Sequence, residues 1–389
     1  MARACALVAF TGALVLAQGA SMAAAAPGMN EGSAMPVTGF EIVSAGHSNT
    51  VFGLQTNGSL TAWGENSARQ TGDGGSTDRN TPGFTFASDP TFVGVKQVGS
   101  GTDFSVALKA DGTVWAWGNN AIGQLGNGTL TTSATPVAVT GMTGVRQISI
   151  GAQCTLALKA DGTIWAWGQG GSGELGNGAS TSSNVPVQVD FTSRAAGTLR
   201  LAKAIYTGTD FSMAIMADGT VWGWGRNANR QLALAGADRA TPVQADAALT
   251  GARSLSLGDA FGAAILPDGT IRTWGADGSG QLGNGATIGN QNTPQAPGVT
   301  KALQVVTGDD HMLALLADGT IMGWGSNLNG QLGFSGADRT SPLALTAFGA
   351  AGSTRFLGAG LNSSFQVRAD GTVYGTGENS AGTLATTDF

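Results

Sequence analysis

Short apolar runs separated by turn residues follow one another along the chain after residue 35. In one unit, four such runs occupy residues 136–139, 145–150, 155–159 and 164–167. Asp161-Gly162 separates the last two runs, and this dipeptide supplies the positive φ that a tight hairpin turn needs. Apolar and small residues alternate in the fourth run, so Trp165 and Trp167 share one face. The pattern predicts four short antiparallel strands, without a segment that has the period of an amphipathic helix.

The unit occurs seven times. Its hairpin dipeptides lie 50 to 57 residues apart, at Asn57-Gly58, Asp111-Gly112, Asp161-Gly162, Asp218-Gly219, Asp268-Gly269, Asp318-Gly319 and Asp370-Gly371. Six residues later comes a tryptophan in six copies and Thr376 in the seventh, each followed by glycine. Another glycine lies ten residues before the dipeptide in six copies, whereas Gly46 lies eleven before in the first. A repeat of this length indicates a solenoid, a propeller or a similar array.

Four strands in each of seven units predict an all-β fold, a seven-bladed β-propeller that spans residues 36–389. A four-stranded sheet cannot bury both of its faces alone, so the blades pack on one another and cover the tryptophans. Burial of one tryptophan face contributes on the order of 2 kcal/mol. The alternation excludes a helical solenoid, and a β-solenoid is the alternative that the pattern leaves open.

The two ends of the repeat region complement each other. The seventh copy ends without its last strand, and residues 36–46 are similar in kind and order to residues 136–151, although five residues shorter. We therefore expect residues 35–46 to complete the blade built from residues 360–385. Pairing of the N- and C-terminal segments would close the ring and remove open sheet edges.

The N-terminus differs from the repeats. Arg3 is followed by an apolar run from Ala6 to Ala17 and by small residues through Ala26, which is the pattern of a secretory signal. We expect a signal peptide at residues 1–26, a linker at residues 27–35 and a secreted or periplasmic protein. A disordered or buried N-terminal helix is the alternative. No apolar run after residue 30 approaches the length of about 18 residues that predicts a membrane span.

Composition narrows the classes of function. The net charge is −6 and the isoelectric point is near 4.9, without a run of basic residues, so nucleic acid binding is disfavoured. The chain has two histidines, and Cys154 is the cysteine that would remain after cleavage of a signal peptide. These residues offer no Cys/His pair for nucleophilic catalysis and no metal set. We expect a monomer that is not an enzyme and needs no cofactor.

Three stretches carry a family resemblance. Gly308–Leu315 reads Gly-Asp-Asp-His-Met-Leu-Ala-Leu, and Asn120–Gly126 and Asn327–Gly333 both fit Asn-x-x-Gly-Gln-Leu-Gly. With the Trp-Gly pairs, they resemble the repeat family named after the regulator of chromosome condensation, over about residues 36–385. The resemblance implies a seven-bladed propeller. The family histidine is present at 311, whereas His47 directly follows its glycine and is out of phase, and the other copies hold Phe104, Cys154, Phe211, Phe261 and Ser363.

The corners just after the repeat glycines form a candidate site, which we call the acidic crown. It comprises Asp103, Asp210, Asp259, Asp309 and Asp310, with Asn49, Gln153 and Asn362 in the other copies. Because equivalent corners lie around one face of a propeller, we expect these residues, with His311 beside them, to receive a basic partner or a cation. The simpler interpretation is that the aspartates accept turn amide hydrogens and that His311 packs between blades.

Three functions remain as hypotheses. The first is an exported scaffold that binds a protein or a cell-surface polymer through loops on one face, including the long segment 190–200. The second, guanine-nucleotide exchange on a small GTPase, follows from the resemblance alone, because the best-known family member is a nuclear exchange factor of this kind. In such relatives an acidic residue beside the blade histidine is implicated in exchange, which points to Asp310. The third is carbohydrate binding or hydrolysis, with Trp115, Trp165 and Trp222 as stacking platforms.

Overall fold

The structure, a computed structural model, describes residues 33–34, 40–55, 58–84, 92–192, 201–348 and 354–384. The strands up to residue 138 are β1 (Ser33–Ala34), β2 (Phe40–Ala45), β3 (Thr50–Gln55), β4 (Leu60–Gly64), β5 (Arg79–Phe84), β6 (Val95–Ser100), β7 (Phe104–Lys109), β8 (Val114–Gly118) and β9 (Ser133–Ala138). The next are β10 (Val145–Ile150), β11 (Cys154–Lys159), β12 (Ile164–Gly168), β13 (Ser183–Gln188), β14 (Ala202–Thr207), β15 (Phe211–Met216), β16 (Val221–Gly225) and β17 (Arg239–Gln244). The last are β18 (Ser254–Leu257), β19 (Phe261–Ile265), β20 (Ile271–Gly275), β21 (Gln291–Gln295), β22 (Ala302–Thr307), β23 (His311–Leu316), β24 (Ile321–Gly325), β25 (Arg339–Ala344), β26 (Thr354–Ala359), β27 (Ser363–Arg368) and β28 (Val373–Gly377).

Within these residues the strands form seven antiparallel four-stranded sheets, which are the blades of a β-propeller. Blades 1 to 6 are β2–β5, β6–β9, β10–β13, β14–β17, β18–β21 and β22–β25, and blade 7 combines β26–β28 with β1. The first strand of each blade lies innermost, and these inner strands contact one another around a central channel. A single 3₁₀ turn at Ala247–Leu249 is capped by Asp246, whose carboxylate accepts a hydrogen bond from the Ala248 N–H. The prediction of an all-β seven-bladed propeller is confirmed.

The ring closes through the chain ends, as predicted, but by a different segment. β1 pairs with β28, and Ser33 lies opposite Gly375. Residues 35–46 were expected in this place, whereas Phe40–Ala45 forms the inner strand of blade 1. The reason is that residues 40–45 precede Gly46 as residues 145–150 precede Gly151, so they take the inner position and the closing strand comes from further upstream. Two residues expected in the linker therefore belong to the propeller, and residues 1–32 and 35–39 lie outside the described residues.

Turn chemistry in the hairpins explains the repeated dipeptides. In blade 3, Asp161 Oδ1 accepts hydrogen bonds from the N–H and the hydroxyl of Thr163, at 2.9 and 2.7 Å, and Gly162 has a φ of 83°. The carbonyl oxygen of the hairpin glycine also accepts the first N–H of the next inner strand, as Gly162 does from Ala202 at 3.0 Å. The same turn therefore ends one strand pair and positions the neighbouring blade.

Tryptophans join the blades through a circle of equivalent hydrogen bonds. Each indole Nε1 is buried and donates to a backbone carbonyl in the loop before the fourth strand of the preceding blade. The pairs are Trp63–Thr383, Trp117–Gln70, Trp167–Gln124, Trp224–Glu174, Trp274–Gln231 and Trp324–Gln281, at 2.8 to 3.0 Å. In blade 7 the hydroxyl of Thr376 donates to the carbonyl of Gln331 at 3.1 Å. The circle is complete because Trp63 of blade 1 reaches back to blade 7.

Glutamine side chains connect several inner strands. Gln97 Nε2 donates to the carbonyl of Ile148 at 2.7 Å, and Gln97 Oε1 accepts from the Ile148 N–H at 2.9 Å. Gln147 makes the same pair of bonds with Ile205, and Gln304 makes it with Leu357. One amide thus satisfies the backbone groups at the edge of the next inner strand, which would otherwise be unpaired next to the channel.

Replacement of Trp324 by Phe tests the circle. Trp324→Phe leaves the carbonyl of the buried Gln281 without a donor and opens space between blades 5 and 6, so we expect a loss of about 2–4 kcal/mol in the free energy of unfolding. Urea denaturation followed by circular dichroism measures this loss. Trp165→Phe is the control, because Trp165 is half-exposed and its indole bonds only to the Thr163 hydroxyl. Equal losses in the two variants would contradict the role of the circle.

Candidate functional site

The inner strands surround a central channel with a cavity of about 190 Å³. Hydroxyl groups from neighbouring blades pair along its wall: Ser149 with Thr207 at 2.8 Å, and Ser256 with Thr307 at 2.9 Å. Asp309 lines one mouth of this channel. The channel wall therefore combines paired hydroxyl groups with aliphatic side chains such as Ile148 and Leu257, and it carries a carboxylate at one end.

The structure resolves the acidic crown into two rings at this mouth. The first ring follows the repeat glycine directly and comprises Thr102, Ala152, Thr209, Asp259, Asp309 and Leu361. Within it, backbone N–H groups donate to carbonyls of the next blade, as Asp259 does to Asp309 and Asp309 does to Leu361, both at 3.1 Å. The second ring is one residue further along and comprises Asn49, Asp103, Gln153, Asp210, Ala260, Asp310 and Asn362. Its carbonyls accept the N–H that follows each Trp-Gly pair, for example Asn119 N–H to Asp103 at 2.9 Å.

Three acidic residues of the crown come together in blades 5 and 6. Asp259 and Asp309 occupy the same ring on adjacent blades, and Asp310 accepts a hydrogen bond from Gln281 Nε2 at 2.8 Å. Burial, and then the charges of Asp259 and Asp310, raise the pKa of Asp309 to about 7. Burial, followed by the charges of Asp259 and Asp338, also raises the pKa of Asp310, against the bond from Gln281. We call Asp259, Asp309 and Asp310 the acidic mouth.

His47 belongs at the same mouth, although the sequence analysis left it out of the candidate site. Its side chain lines the channel, and its backbone N–H donates to the Ser100 carbonyl of blade 2 at 3.2 Å. Burial lowers the pKa of His47 to about 4, while the charge of Asp259 raises it in part. The available signal was that His47 follows Gly46 directly, as Asp259 and Asp309 follow their glycines.

The other predicted crown residues lie apart from the acidic mouth. Asp103 is at the corner of blade 2, and Asp210 pairs with Arg226 at 3.3 Å in blade 4. Asn362 of blade 7 donates from Nδ2 to Glu378 Oε2 at 3.0 Å. Asp210 therefore has a local counter-charge and Asn362 is engaged within its own blade, whereas Asp103 lies near Glu65 and its charge helps to raise the pKa of that residue.

His311 is buried completely and has no surface for a partner. Its Nε2 lies 2.9 Å from the Ser364 hydroxyl of blade 7, and its ring packs so closely on Gly308 that a Cβ there would overlap it. Burial lowers the pKa of His311 to about 4, so the ring is neutral at pH 7. Phe104, Phe211 and Phe261 fill the same position in other blades. His311 thus packs between blades, in agreement with the simpler interpretation.

Strand direction places the acidic crown and the lysines on opposite faces of the ring. Because successive strands are antiparallel, the crown lies on one face, the corner face, and the hairpin dipeptides lie on the other, the hairpin face. All five lysines stand where inner strands begin or second strands end, on the hairpin face: Lys96, Lys109, Lys159, Lys203 and Lys301. The corner face carries the acidic mouth, and its cations are arginines.

Comparison with known proteins identifies the repeat. A family model described as "Regulator of chromosome condensation (RCC1) repeat" matches residues 111–158, 161–215 and 268–315. A second model with the same description matches residues 95–124, 145–174, 202–231 and 303–331, and the two together cover just over half of the chain. The chain belongs to the RCC1 repeat family. The RCC1 resemblance found in the sequence is thereby confirmed.

Solved RCC1-type structures share the fold. Human WBSCR16 is 22% identical with a TM-score of 0.71, over 86% of this chain and 85% of that chain. Prp20p from Saccharomyces cerevisiae is 20% identical with a TM-score of 0.71, over 88% of this chain and 84% of that chain. Yeast RCC1 (Prp20) bound to Kap60 gives 20% identity and the same TM-score over 88% and 82%. At these identities the likeness shows the propeller architecture alone.

The tryptophans suggested for carbohydrate stacking do not offer open faces. The Lys109 ammonium lies over the Trp115 ring at 5.9 Å and the Lys159 ammonium over the Trp165 ring at 5.0 Å. Trp222 is 9% exposed. Of the long segment 190–200, residues 193–200 lie outside the described part of the chain. Within that part, no group of three or more His, Cys, Asp or Glu has the geometry of a metal site, and no helix is long and apolar enough to span a membrane.

Replacement of Asp309 by Asn tests the charge at the mouth through pH. An aspartate with a raised pKa in the folded state destabilises the fold once it ionises, and the loss grows from about pH 4 to about pH 7. Asp309→Asn removes this effect. We expect equal stability of variant and parent at pH 4 and a gain of about 2–4 kcal/mol in the variant at pH 8.

Thermal denaturation between pH 4 and pH 8 gives the measurement. The control is Asp161→Asn on the hairpin face, where hydrogen bonds from Thr163 lower the pKa, so no gain is expected at pH 8. If Asp309→Asn showed no gain at pH 8, the mouth would not hold a destabilising carboxylate.

Proposed function

We propose that the protein is an exported, non-catalytic RCC1-type propeller that binds a basic segment of a protein partner on its corner face, over the acidic mouth. Export is supported by the signal-like residues 1–26, and the binding role is supported by the crown. The observation that carries the proposal is the convergence of Asp259, Asp309 and Asp310. Among the described residues, no lysine or arginine lies within 4.0 Å of these three carboxylates.

Physical chemistry favours a cationic ligand at this place. Holding carboxylates together at a half-buried site is unfavourable, as the raised pKa of Asp309 shows. A lysine or arginine side chain from a partner would offset this repulsion and favour the ionised form of Asp309. Affinity for such a ligand is therefore expected to rise as the pH rises through about 7.

Relatives support a protein as the partner. The structure of yeast Prp20p is described together with binding to Gsp1p and histones, and yeast RCC1 (Prp20) is seen bound to Kap60. These are protein partners of propellers that share this fold. The cell-surface polymer remains a less supported ligand, because neither exposed aromatic platforms nor a metal site was found for it in the described residues.

A lysine-rich peptide serves as the probe of the acidic mouth. We expect Asp259→Asn/Asp309→Asn/Asp310→Asn to weaken peptide binding roughly tenfold or more, because the ligand's ammonium groups lose their counter-charges. The parent is expected to bind more tightly at pH 8 than at pH 6. Fluorescence anisotropy at fixed ionic strength measures both effects.

The matched control is Asp111→Asn/Asp161→Asn/Asp318→Asn, which changes the net charge equally on the hairpin face. Asn57 stands at the equivalent position of blade 1, so asparagine is compatible with this hairpin. Equal weakening in the two triple variants would mean that the peptide responds to the net charge of the protein and does not bind at the acidic mouth. The proposal would then fail.

Guanine-nucleotide exchange on a small GTPase is a second candidate function. It is favoured by the shared fold with Prp20p and by Asp310, which is half-buried beside the blade histidine. A nucleotide-release assay with a panel of small GTPases tests it: accelerated release that falls in Asp310→Asn is the expected result for an exchange factor. Release at the intrinsic rate across the panel would exclude the activity for those GTPases.

A further inference from the structure

We propose that the hairpin face binds the surface of a lipid bilayer that contains anionic phospholipids. The proposal concerns the face opposite to the acidic mouth and does not depend on the function of that mouth. It rests on a set of cations that the repeat places in one arc, together with aliphatic side chains exposed beside them.

Four consecutive blades each contribute one cation from the same structural position. Lys96, Arg146 and Lys203 are the second residues of β6, β10 and β14, where a register shift leaves them unpaired in the sheet. Arg253 stands at the equivalent place, directly before β18 in blade 5. Because inner strands surround the channel, these four residues form an arc around its hairpin-side opening. We call them the cationic arc.

The cations of the arc make no ion pair among the described residues, although the hairpin aspartates Asp111, Asp161, Asp218 and Asp268 stand on the same face. Lys96, Lys203 and Arg253 are exposed, and Arg146 is half-buried. The Arg146 guanidinium donates to the carbonyls of Ala202 and Lys203, at 2.8 and 3.1 Å, which brings it next to a second cation. Within the described residues, none of the four has a carboxylate within 4.0 Å. Neighbouring exposed cations that make no direct ion pair are a surface for an anionic partner.

Exposed aliphatic side chains favour a lipid surface over a soluble polyanion. Val93 is 46% exposed, Leu201 is 40% exposed and Leu303 is 55% exposed. Val93 and Leu201 lie just before the inner strands that carry Lys96 and Lys203, and Leu303 takes the arc position in blade 6. Aliphatic groups gain free energy at the boundary of headgroups and acyl chains, whereas a soluble polyphosphate offers them no apolar contact. Basic residues near an anionic bilayer each strengthen binding about fivefold.

Co-sedimentation of the full chain with vesicles tests the proposal. We expect stronger binding to phosphatidylcholine vesicles that contain phosphatidylglycerol than to phosphatidylcholine alone, and a loss of this difference in high salt. Lys96→Gln/Lys203→Gln is expected to lower binding to the anionic vesicles roughly tenfold or more. The matched control, Arg69→Gln/Arg339→Gln, removes two exposed arginines of the corner face and should bind like the parent.

A second pair of variants separates lipid from free phosphate. Leu201→Ser/Leu303→Ser should weaken binding to anionic vesicles, and Leu328→Ser, at a side chain 81% exposed on the corner face, should not. Inorganic polyphosphate is the soluble probe. Equal binding to neutral and anionic vesicles, equal binding of the lysine variant and its arginine control, or binding of polyphosphate without binding of vesicles would each overturn the proposal.

Discussion

The hydrogen bond from a buried indole N–H to a carbonyl of the preceding blade is the contact on which the ring depends. A blade is a twisted sheet with two apolar faces, and the large side chain between blades fills the wedge that the twist leaves. The bond fixes the depth of that side chain, and the carbonyl must in turn be held in place. In blade 2 this is done by Asn120, whose Oδ1 accepts the Leu125 N–H at 2.9 Å and whose Nδ2 donates to the carbonyls of Thr129 and Thr131. The Asn-x-x-Gly-Gln-Leu-Gly stretch is thus part of the packing between blades.

Most of the architecture could be predicted because each repeat carries residues that have the same structural role in every blade. The hairpin dipeptides, the tryptophans and the repeat glycines identify the blade count, the strand order and the covered face. The closing strand could not be identified, since β1 has only two residues, Ser33 and Ala34, and pairs through its backbone. Backbone pairing leaves no side-chain signature, so an inner strand with a clear apolar pattern was assigned to the closing role.

The candidate site stays a prediction, and the structure adds the positions of its residues relative to one another. The sequence places aspartates at equivalent corners, but it does not tell which corners are neighbours with matching orientation and which carry a local counter-charge. Asp210 has Arg226 beside it, whereas Asp309 lines the channel mouth and lies close enough to Asp259 for the charge of Asp259 to raise its pKa. His47 was missed because blade 1 has one extra residue between its glycine and its hairpin, which moved the histidine out of phase. His311 matched the family pattern and is a packing residue.

Aspartates of the same chain show how position decides chemistry. In the hairpins, Asp161 receives hydrogen bonds from Thr163 that stabilise the charged form, and its pKa is lowered. The pKa is lowered in the same way at Asp111, Asp268, Asp318 and Asp370. At the channel mouth, burial and like charges destabilise the charged form of Asp309, and its pKa is raised. The residues directly after the repeat glycines differ from blade to blade, as Thr102, Asp259 and Leu361 illustrate, because there the backbone makes the contacts and the side chain is left free.

The same freedom exists at the bulge positions of the inner strands, where Lys96 and Leu303 occupy equivalent places. Charge can therefore vary at both mouths of the channel without disturbing the circle of tryptophans, and in this chain the cationic arc and the acidic mouth have opposite sign. If the cationic end lies on an anionic bilayer, the acidic mouth points away from the surface and is not repelled by it. A basic partner attracted toward the same bilayer would then meet the carboxylates of blades 5 and 6. The bilayer and the acidic mouth would therefore attract such a partner from the same side of the ring.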